Sequence, residues 1–326
     1  MRYRRLGRSG LRVSGYGLGT MNMGGQLDAA KSHRLLDAAL DGGINLIDVA
    51  EMYPSPQGAA THGRSEEIVG AWLKRKPRDA VLLATKICGG NRAESGDVVP
   101  YLRGGFAALD WHHFAAACEA SLRRLKTDHI DLYQTHWPDR HVPMEAQLEA
   151  FDRLIEAGKV RYAGVSNETP WGLTRLIACS EASGLPRIVS LQNNYSLLWR
   201  DYEHGMSEVC VREDVGMMAF SPLGQGALTG KYSGGKFAKG TRFAELEYAV
   251  RRFGSPEMLA RADRYVEVAR RHGLDPAAMA MAWVASRPGV ATVLTSCSRP
   301  SQLRNLLAHA DLTLDAETLA DIDAVA

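Results

Sequence analysis

Apolar residues fall along this chain in two alternating rhythms. Short runs rich in aliphatic and β-branched residues occur at 15–20 (GYGLGT), 44–50 (INLIDVA), 81–86 (VLLATK) and 130–136 (IDLYQTH). They continue at 160–166 (VRYAGVS), 188–194 (IVSLQNN), 215–222 (VGMMAFSP) and 290–296 (VATVLTS). Between them lie stretches such as Asp28–Leu40 and Ser65–Lys74, with apolar residues three and four apart, the period of one helix face. The segments 143–157 and 170–182 begin at or beside a proline. Proline suits a first helical turn, where its missing N–H would have had no partner. Gly158, after Ile155–Glu156–Ala157, stands where a helix commonly ends in a left-handed residue.

Strands alternating with helices pair in parallel through right-handed crossovers. Eight such strands close a barrel, so the pattern predicts an α/β fold, a (β/α)8 TIM barrel. An open doubly wound sheet is the alternative, but no run here feeds a G-x-G-x-x-G turn. Residues 3–14 (YRRLGRSGLRVS) read as a β-hairpin, with Gly7 and Ser9–Gly10 marking the turn, that caps the N-terminal end of the barrel. The segments 87–110 and 223–254 are long and glycine-rich, and loops of that length in a compact domain are usually functional. The 326 residues are expected to form a single domain, 1–326, because α/β barrels commonly run to about 250 residues or more as one unit.

Composition narrows the function classes. A net charge of +2 gives no general attraction to nucleic acid or acidic membranes. The basic pairs Arg123–Arg124, Arg251–Arg252 and Arg270–Arg271 fall in helical stretches and are expected on solvated faces. The five cysteines (Cys88, Cys118, Cys179, Cys210, Cys297) are scattered without a C-x-x-C, which argues against a disulfide framework or a zinc ribbon. The opening MRYRRLG lacks the apolar run of a signal peptide, and no stretch of about 18 apolar residues would span a membrane. A cytoplasmic location is expected.

In a barrel of this kind the active site forms on the C-terminal rim. The second strand ends at Asp48, with Tyr53 five residues on; the third ends at Lys86 and the fourth at His136. Neighbouring strands lie about 4.8 Å apart, so these side chains can converge. Each alone has a plainer reading: a turn cap for Asp48, a rim charge for Lys86, a packed polar residue under Trp137 for His136. Together they suit one chemistry. Asp48 fixes the Lys86 ammonium, which is expected to lower the pKa of Tyr53 from its usual ~10 towards working pH. Tyr53 can then protonate a carbonyl oxygen while hydride reaches the carbon, with His136 orienting the carbonyl. Phosphate-ester or sugar chemistry would need paired acids, and Asp48 is the one carboxylate at these strand ends. His136, His141 and His112–His113 match no usual zinc spacing, so no metal is expected.

The runs DVAEMY (48–53), ATK (84–86), YQTHWP (133–138), GVSN (164–167), SLQNNYSLL (190–198) and AFSPLGQGALTGKY (219–232) resemble the aldo-keto reductases over nearly the whole chain. DVAEMYP, THGRSEEIVGAWL, LKTDHIDLYQTHWPDR and VRYAGVSNET look most like the bacterial Tas-like branch. The resemblance implies a hairpin-capped barrel, the tetrad Asp48, Tyr53, Lys86 and His136, and reduction of aldehydes or ketones, reversibly, with NADP(H). It implies that Ser166 and Asn167, assisted by Gln192, hold the nicotinamide carboxamide, that Phe220 stacks on its ring, and that Thr20, Met21 and Asp48 lie beside the cofactor. Ser221, Pro222, Leu223, Gly224 and Gln225 would line the pyrophosphate path, where glycines let backbone N–H groups approach phosphate. Lys231 and Arg242 would add charge, and Ser298, Gln302 and Asn305 would meet the adenosine end.

This sequence departs from the family pattern near the eighth strand, where Ser296 stands at a usual glycine and Leu306 at a usual asparagine; Arg299 is a candidate compensation. Met21, Met52, Trp137 and Trp199 around the mouth suggest an apolar or aromatic small-molecule carbonyl substrate, although such residues also serve as generic packing. The rival reading is an NADPH-binding regulatory or redox-sensing subunit, because the beta subunits of voltage-gated potassium channels share this resemblance. His136, where those subunits depart from the tetrad, favours catalysis.

Overall fold

All eight predicted barrel strands form, and each pairs in parallel with its neighbours. The computed structural model describes residues 1–89, 101–105 and 107–325. A two-stranded antiparallel hairpin, β1 (Tyr3–Arg5) and β2 (Arg12–Ser14), comes first. The barrel strands are β3 (Tyr16–Gly19), β4 (Leu46–Asp48), β5 (Leu82–Ile87), β6 (Ile130–Thr135), β7 (Val160–Ser166), β8 (Ile188–Asn194), β9 (Gly216–Phe220) and β10 (Val290–Thr295). They run in sequence order around a closed barrel, β10 returning to β3.

Helices follow the strands. They are α1 (Ala29–Asp41), α2 (Arg64–Leu73), α3 (Trp111–Leu125), α4 (Met144–Glu156), α5 (Pro170–Ser183) and α6 (Met206–Arg212). After β9 come α7 (Arg242–Glu245), α8 (Glu247–Phe253), α9 (Pro256–Arg271) and α10 (Pro276–Ala285), and after β10 come α11 (Pro300–Ala308) and α12 (Ala316–Asp323). Side-chain caps mark many starts: Asp28, Asp110, Thr169, Ser255, Asp275 and Asp315 each accept from a backbone N–H three residues on. Pro170 takes the first helical position as expected, whereas Pro143 stands one residue before α4. Gly158 has the left-handed φ of +70° expected of a residue closing α4.

The hairpin plugs the barrel floor. Leu6, Leu11 and Val13 pack with the inward-facing Leu46, Ala84, Leu132, Val189 and Met218. Burying each hairpin side chain contributes about 1.5–3 kcal/mol. Gly7 sits at φ +53°, and a Cβ there would lie 2.1 Å from the Val189 carbonyl oxygen, so the close approach of the turn to β8 and β9 needs glycine. Outside the barrel wall, Trp72, Phe114, Phe151 and Trp283 join the larger core between strands and helices.

Two expectations change. Strand 215–222 stops at Phe220 because Ser221 adopts a left-handed φ of +55°, which turns the chain out of the sheet. The basic pairs do not all face solvent: Arg124 pairs at 2.6 Å with the buried Glu66, and Arg252 turns into a cavity described below. Their partners Arg123 and Arg251, and both Arg270 and Arg271, are exposed. Half of the predicted loop 87–110, residues 90–100 and 106, lies outside the described residues. The loop 223–254 is a series of short helical turns, beginning with Gly224–Thr229 and ending in α8.

Candidate active site

Four side chains from three strand ends and one loop meet at the C-terminal rim. Lys86 Nζ donates to Asp48 Oδ2 at 2.6 Å and to the Val49 carbonyl at 3.0 Å, and neither Lys86 nor Asp48 is more than 3 % exposed. The other carboxylate oxygen, Oδ1, accepts from Gln192 Nε2 at 2.8 Å and from Gln134 Nε2 at 3.3 Å. Donors from β5, β6 and β8 thus converge on the acid of β4. The Tyr53 ring centroid lies 5.0 Å from Lys86 Nζ. Its ring meets His136 edge-on at 5.6 Å, and His136 stacks on Trp137 at 3.8 Å.

The electrostatics depart from expectation at one point. Burial pushes the Tyr53 phenol up; Lys86 pulls it down by charge and hydrogen bonding, and burial prevails. Lys86 therefore acts in the expected sense without giving Tyr53 a lowered pKa. Burial pulls the Lys86 ammonium down, but Asp48 and Tyr53 outweigh it and hold the group above its ordinary value. A buried ammonium kept charged by a carboxylate thus lies beside a phenol kept protonated.

A cavity of about 1310 Å³ extends from this rim. Tyr53, Asp48, His136 and Trp137 line it, followed by Ser166, Asn167, Gln192 and Phe220 and then Ser221, Pro222, Leu223, Gln225, Lys231 and Arg242. Ser298, Gln302 and Asn305 lie along it as well. Ser166 Oγ donates to the Gln192 carbonyl at 2.7 Å, and Asn167 Nδ2 to the His136 carbonyl at 2.9 Å, tying β7 to β8 and β6. Arg242 Nη1 donates to Gln225 Oε1 at 2.7 Å, and its Nη2 to Ser296 Oγ at 3.0 Å. Gly226, at φ +102°, has Lys231 Nζ 2.5 Å from where a Cβ would stand, so glycine lets the ammonium lie against the turn.

Residues 16–326 match the aldo/keto reductase family. The chain belongs to that family. It is 42 % identical to "Protein tas" of Escherichia coli K12, over 100 % of this chain and 97 % of the relative. It is 32 % identical to the L-glyceraldehyde 3-phosphate reductase of the same strain, over 99 % and 92 % of the two chains. A "Probable voltage-gated potassium channel subunit beta" of Arabidopsis thaliana is 30 % identical over 96 % and 92 %. As an aldo/keto reductase the chain falls among oxidoreductases for which carbonyl reduction is the general chemistry.

Against the aldo/keto reductase pattern, most predicted site residues lie along the cavity, but some side chains do not. Met52, expected at the substrate pocket, is fully buried in the core, because the turn after β4 points it inward rather than over the mouth. Thr20 does not line the cavity; its hydroxyl donates to the Asp48 carbonyl at 3.0 Å and accepts from Ser65, so it braces β4 from behind. Gly224 is buried against Leu198 beneath the turn. Lys86 lies behind Asp48 and Tyr53 and does not line the cavity. Ser296 takes a positive role, accepting from Arg242, while Leu306 lines the cavity as an apolar, buried side chain. Among the described residues, no cluster of His, Cys, Asp or Glu could hold a metal ion, and no helix is long and apolar enough to cross a membrane.

Gln134, Tyr248 and Arg252 were not anticipated. Gln134 had a readable signal: strand side chains alternate, so Gln134 shares the inward face of His136 two residues on. Tyr248 and Arg252 stand four apart on α8, which places them on one helix face, but which way that face points is set by the fold.

Proposed function

We propose that this chain reduces aldehydes and ketones to alcohols with NADPH, reversibly, and that Tyr53 donates the proton. The observation that carries the reading is the buried Lys86–Asp48 pair set against Tyr53 at the cavity, with His136 at its other edge. Reduction needs a proton at the carbonyl oxygen as hydride arrives at carbon. A phenol that burial keeps protonated holds that proton at neutral pH, and the Lys86 charge stabilises the tyrosinate left behind. His136, at the same rim, orients the carbonyl.

The donor set fits a nicotinamide dinucleotide. The cavity exceeds the about 300–1,000 Å³ typical of a single drug-sized ligand, which allows for cofactor and substrate together. Ser166, Asn167 and Gln192 would hold the carboxamide, and Phe220 would stack on the ring. Ser221, Gly224, Gln225 and Gly226 all have positive φ, a loop geometry that turns backbone N–H groups towards anions. Arg242, Ser298 and Gln302 would read the adenosine phosphate, with Lys231 adding charge. When bound, the cofactor supplies the hydride; the protein supplies position and the proton.

The test is a panel of aldehydes and ketones mixed with protein and NADPH, followed by NADPH absorbance. Consumption by several members, abolished in Tyr53→Phe, is the expected result. Tight NADPH binding without consumption on any member would instead favour a regulatory subunit.

A further inference from the structure

We propose that Arg252 recognises an anionic group, carboxylate or phosphoryl, on the carbonyl substrate. This rests on the carbonyl-reductase reading above and names the substrate class for that site.

Helix α8 presents Tyr248 and Arg252, i and i+4, to the cavity. The Tyr248 hydroxyl reaches Met21 Sδ at 4.0 Å, and Tyr248 is close enough to act electrostatically on both Tyr53 and Arg252. This face of α8 therefore borders the reacting end of the cavity. The Arg252 guanidinium carbon lies 5.4 Å from the Trp199 ring, 5.5 Å from Phe220 and 5.9 Å from Phe253. It is a cation set among aromatic faces at the side of the ring proposed to meet nicotinamide.

The other partly buried arginines among the described residues all have acceptors: Arg4, Arg261 and Arg287 donate to backbone carbonyls, Arg242 to Gln225 and Ser296, and others meet acids. Arg103 meets Glu51, Arg124 meets Glu66, Arg187 meets Glu213 and Arg200 meets Glu203, with distances of 2.6 to 2.8 Å. Among the described residues Arg252 has no carboxylate within ion-pair distance and donates no hydrogen bond. Its rings offer attraction to the charge but no acceptors for a guanidinium's planar fork of N–H donors. Burial holds its pKa below the ordinary arginine value. Packing alone would explain the stacking. It would not explain a fork left without an acceptor at the wall of the cavity.

The cofactor's phosphates are a less suitable partner. The cations placed for them, Lys231 and Arg242, are grouped with the 224–229 turn, and Arg242 is tied to Gln225 and Ser296. Arg252 stands with Trp199, Phe220 and Tyr248 instead. A substrate that bridges Tyr53 and Arg252 would place its carbonyl at one and its anion at the other.

The experiment uses matched pairs: 4-formylbenzoate against its methyl ester, and 4-formylphenyl phosphate against 4-hydroxybenzaldehyde. Wild type should favour the anionic member in kcat/KM by roughly 10- to 100-fold, the range of one charge-assisted hydrogen bond. The preferred pair distinguishes carboxylate from phosphoryl. Arg252→Met should bring that ratio close to one and Arg252→Lys should keep part of it, while NADPH affinity changes little. Separately, tryptophan fluorescence of the wild-type protein with NADP+ should report tighter binding of 4-(hydroxymethyl)benzoate than of its methyl ester. Equal binding of acid and ester, a ratio near one in wild type, or an NADPH affinity that falls with Arg252→Met while the ratio holds, would each overturn the proposal. Acid binding that depends on Arg252 without turnover of any carbonyl would uphold anion recognition and sink the reductase reading.

Discussion

Lys86 Nζ and Asp48 Oδ2 lie 2.6 Å apart in a site from which solvent is excluded at both side chains. Such a pair is costly to break on one side, because the remaining charge stays buried without a partner, at about 3–5 kcal/mol. Its position against Tyr53 makes it part of the proposed proton-delivery apparatus as well as of the barrel wall.

The first prediction concerns Tyr53. Tyr53→Phe removes the proposed proton donor and leaves the ring in place against His136. Turnover should fall by ~10²–10⁴ or more, the usual scale of general acid–base catalysis, with NADPH affinity nearly intact. Steady-state rates and a fluorescence titration check both halves. A variant retaining most of the wild-type rate would refute the assignment.

Lys86→Met should also cripple reduction, since the tyrosinate loses its neighbouring charge and burial acts on Tyr53 unopposed. Asp48→Asn should cost less in kcat, because Asp48 holds Lys86 while Lys86 itself acts on Tyr53. Both variants should melt at lower temperature than wild type. A lower kcat for folded Asp48→Asn than for folded Lys86→Met would reverse the proposed order of roles.

Stability should decline in alkali. Burial raises the phenols of Tyr53, Tyr133, Tyr195 and Tyr202, takes Tyr16 to about 12, and takes the thiols of Cys118 and Cys210 to about 12. Lys86 is raised too, by its partners. A group whose folded pKa exceeds its unfolded one contributes fully below the unfolded value and loses that contribution as pH rises towards the folded one. The unfolded values are about 8.5 for Cys and about 10 for Tyr and Lys. The melting temperature should therefore fall progressively above about pH 9. Melting curves from pH 7 to 11, with tyrosinate absorbance, test this; a melting temperature that rises over that range would contradict it.

The cofactor preference should follow Arg242, which the structure holds between Gln225 and Ser296. A paired fork and permanent charge suit a phosphate, and one charge-assisted contact at roughly 1.5–3 kcal/mol gives ~10-fold or greater discrimination. Arg242→Ala should weaken NADPH more than NADH, read by intrinsic fluorescence. Equal affinities in wild type, or equal losses in the variant, would show that the 2′-phosphate is not read here.

The sequence by itself determined the barrel, because strand and helix periods are local properties and eight alternations leave few ways to close a sheet. It also named Asp48, Lys86 and His136, since strand ends of a parallel barrel share one rim whatever the packing details. Three things waited for the tertiary structure. Met52 and Tyr53 are adjacent in sequence, yet only Tyr53 faces the cavity, because the turn after β4 sets their directions and carries no period to read. The net pKa of Tyr53 depends on how much solvent the assembled site excludes, against which the charge of Lys86 is the smaller effect. Arg252 read as one of a solvated basic pair, because helix periodicity relates Tyr248 to Arg252 without saying what their shared face meets. Long-range packing set that face over the cavity, and no segment of chain encodes it alone.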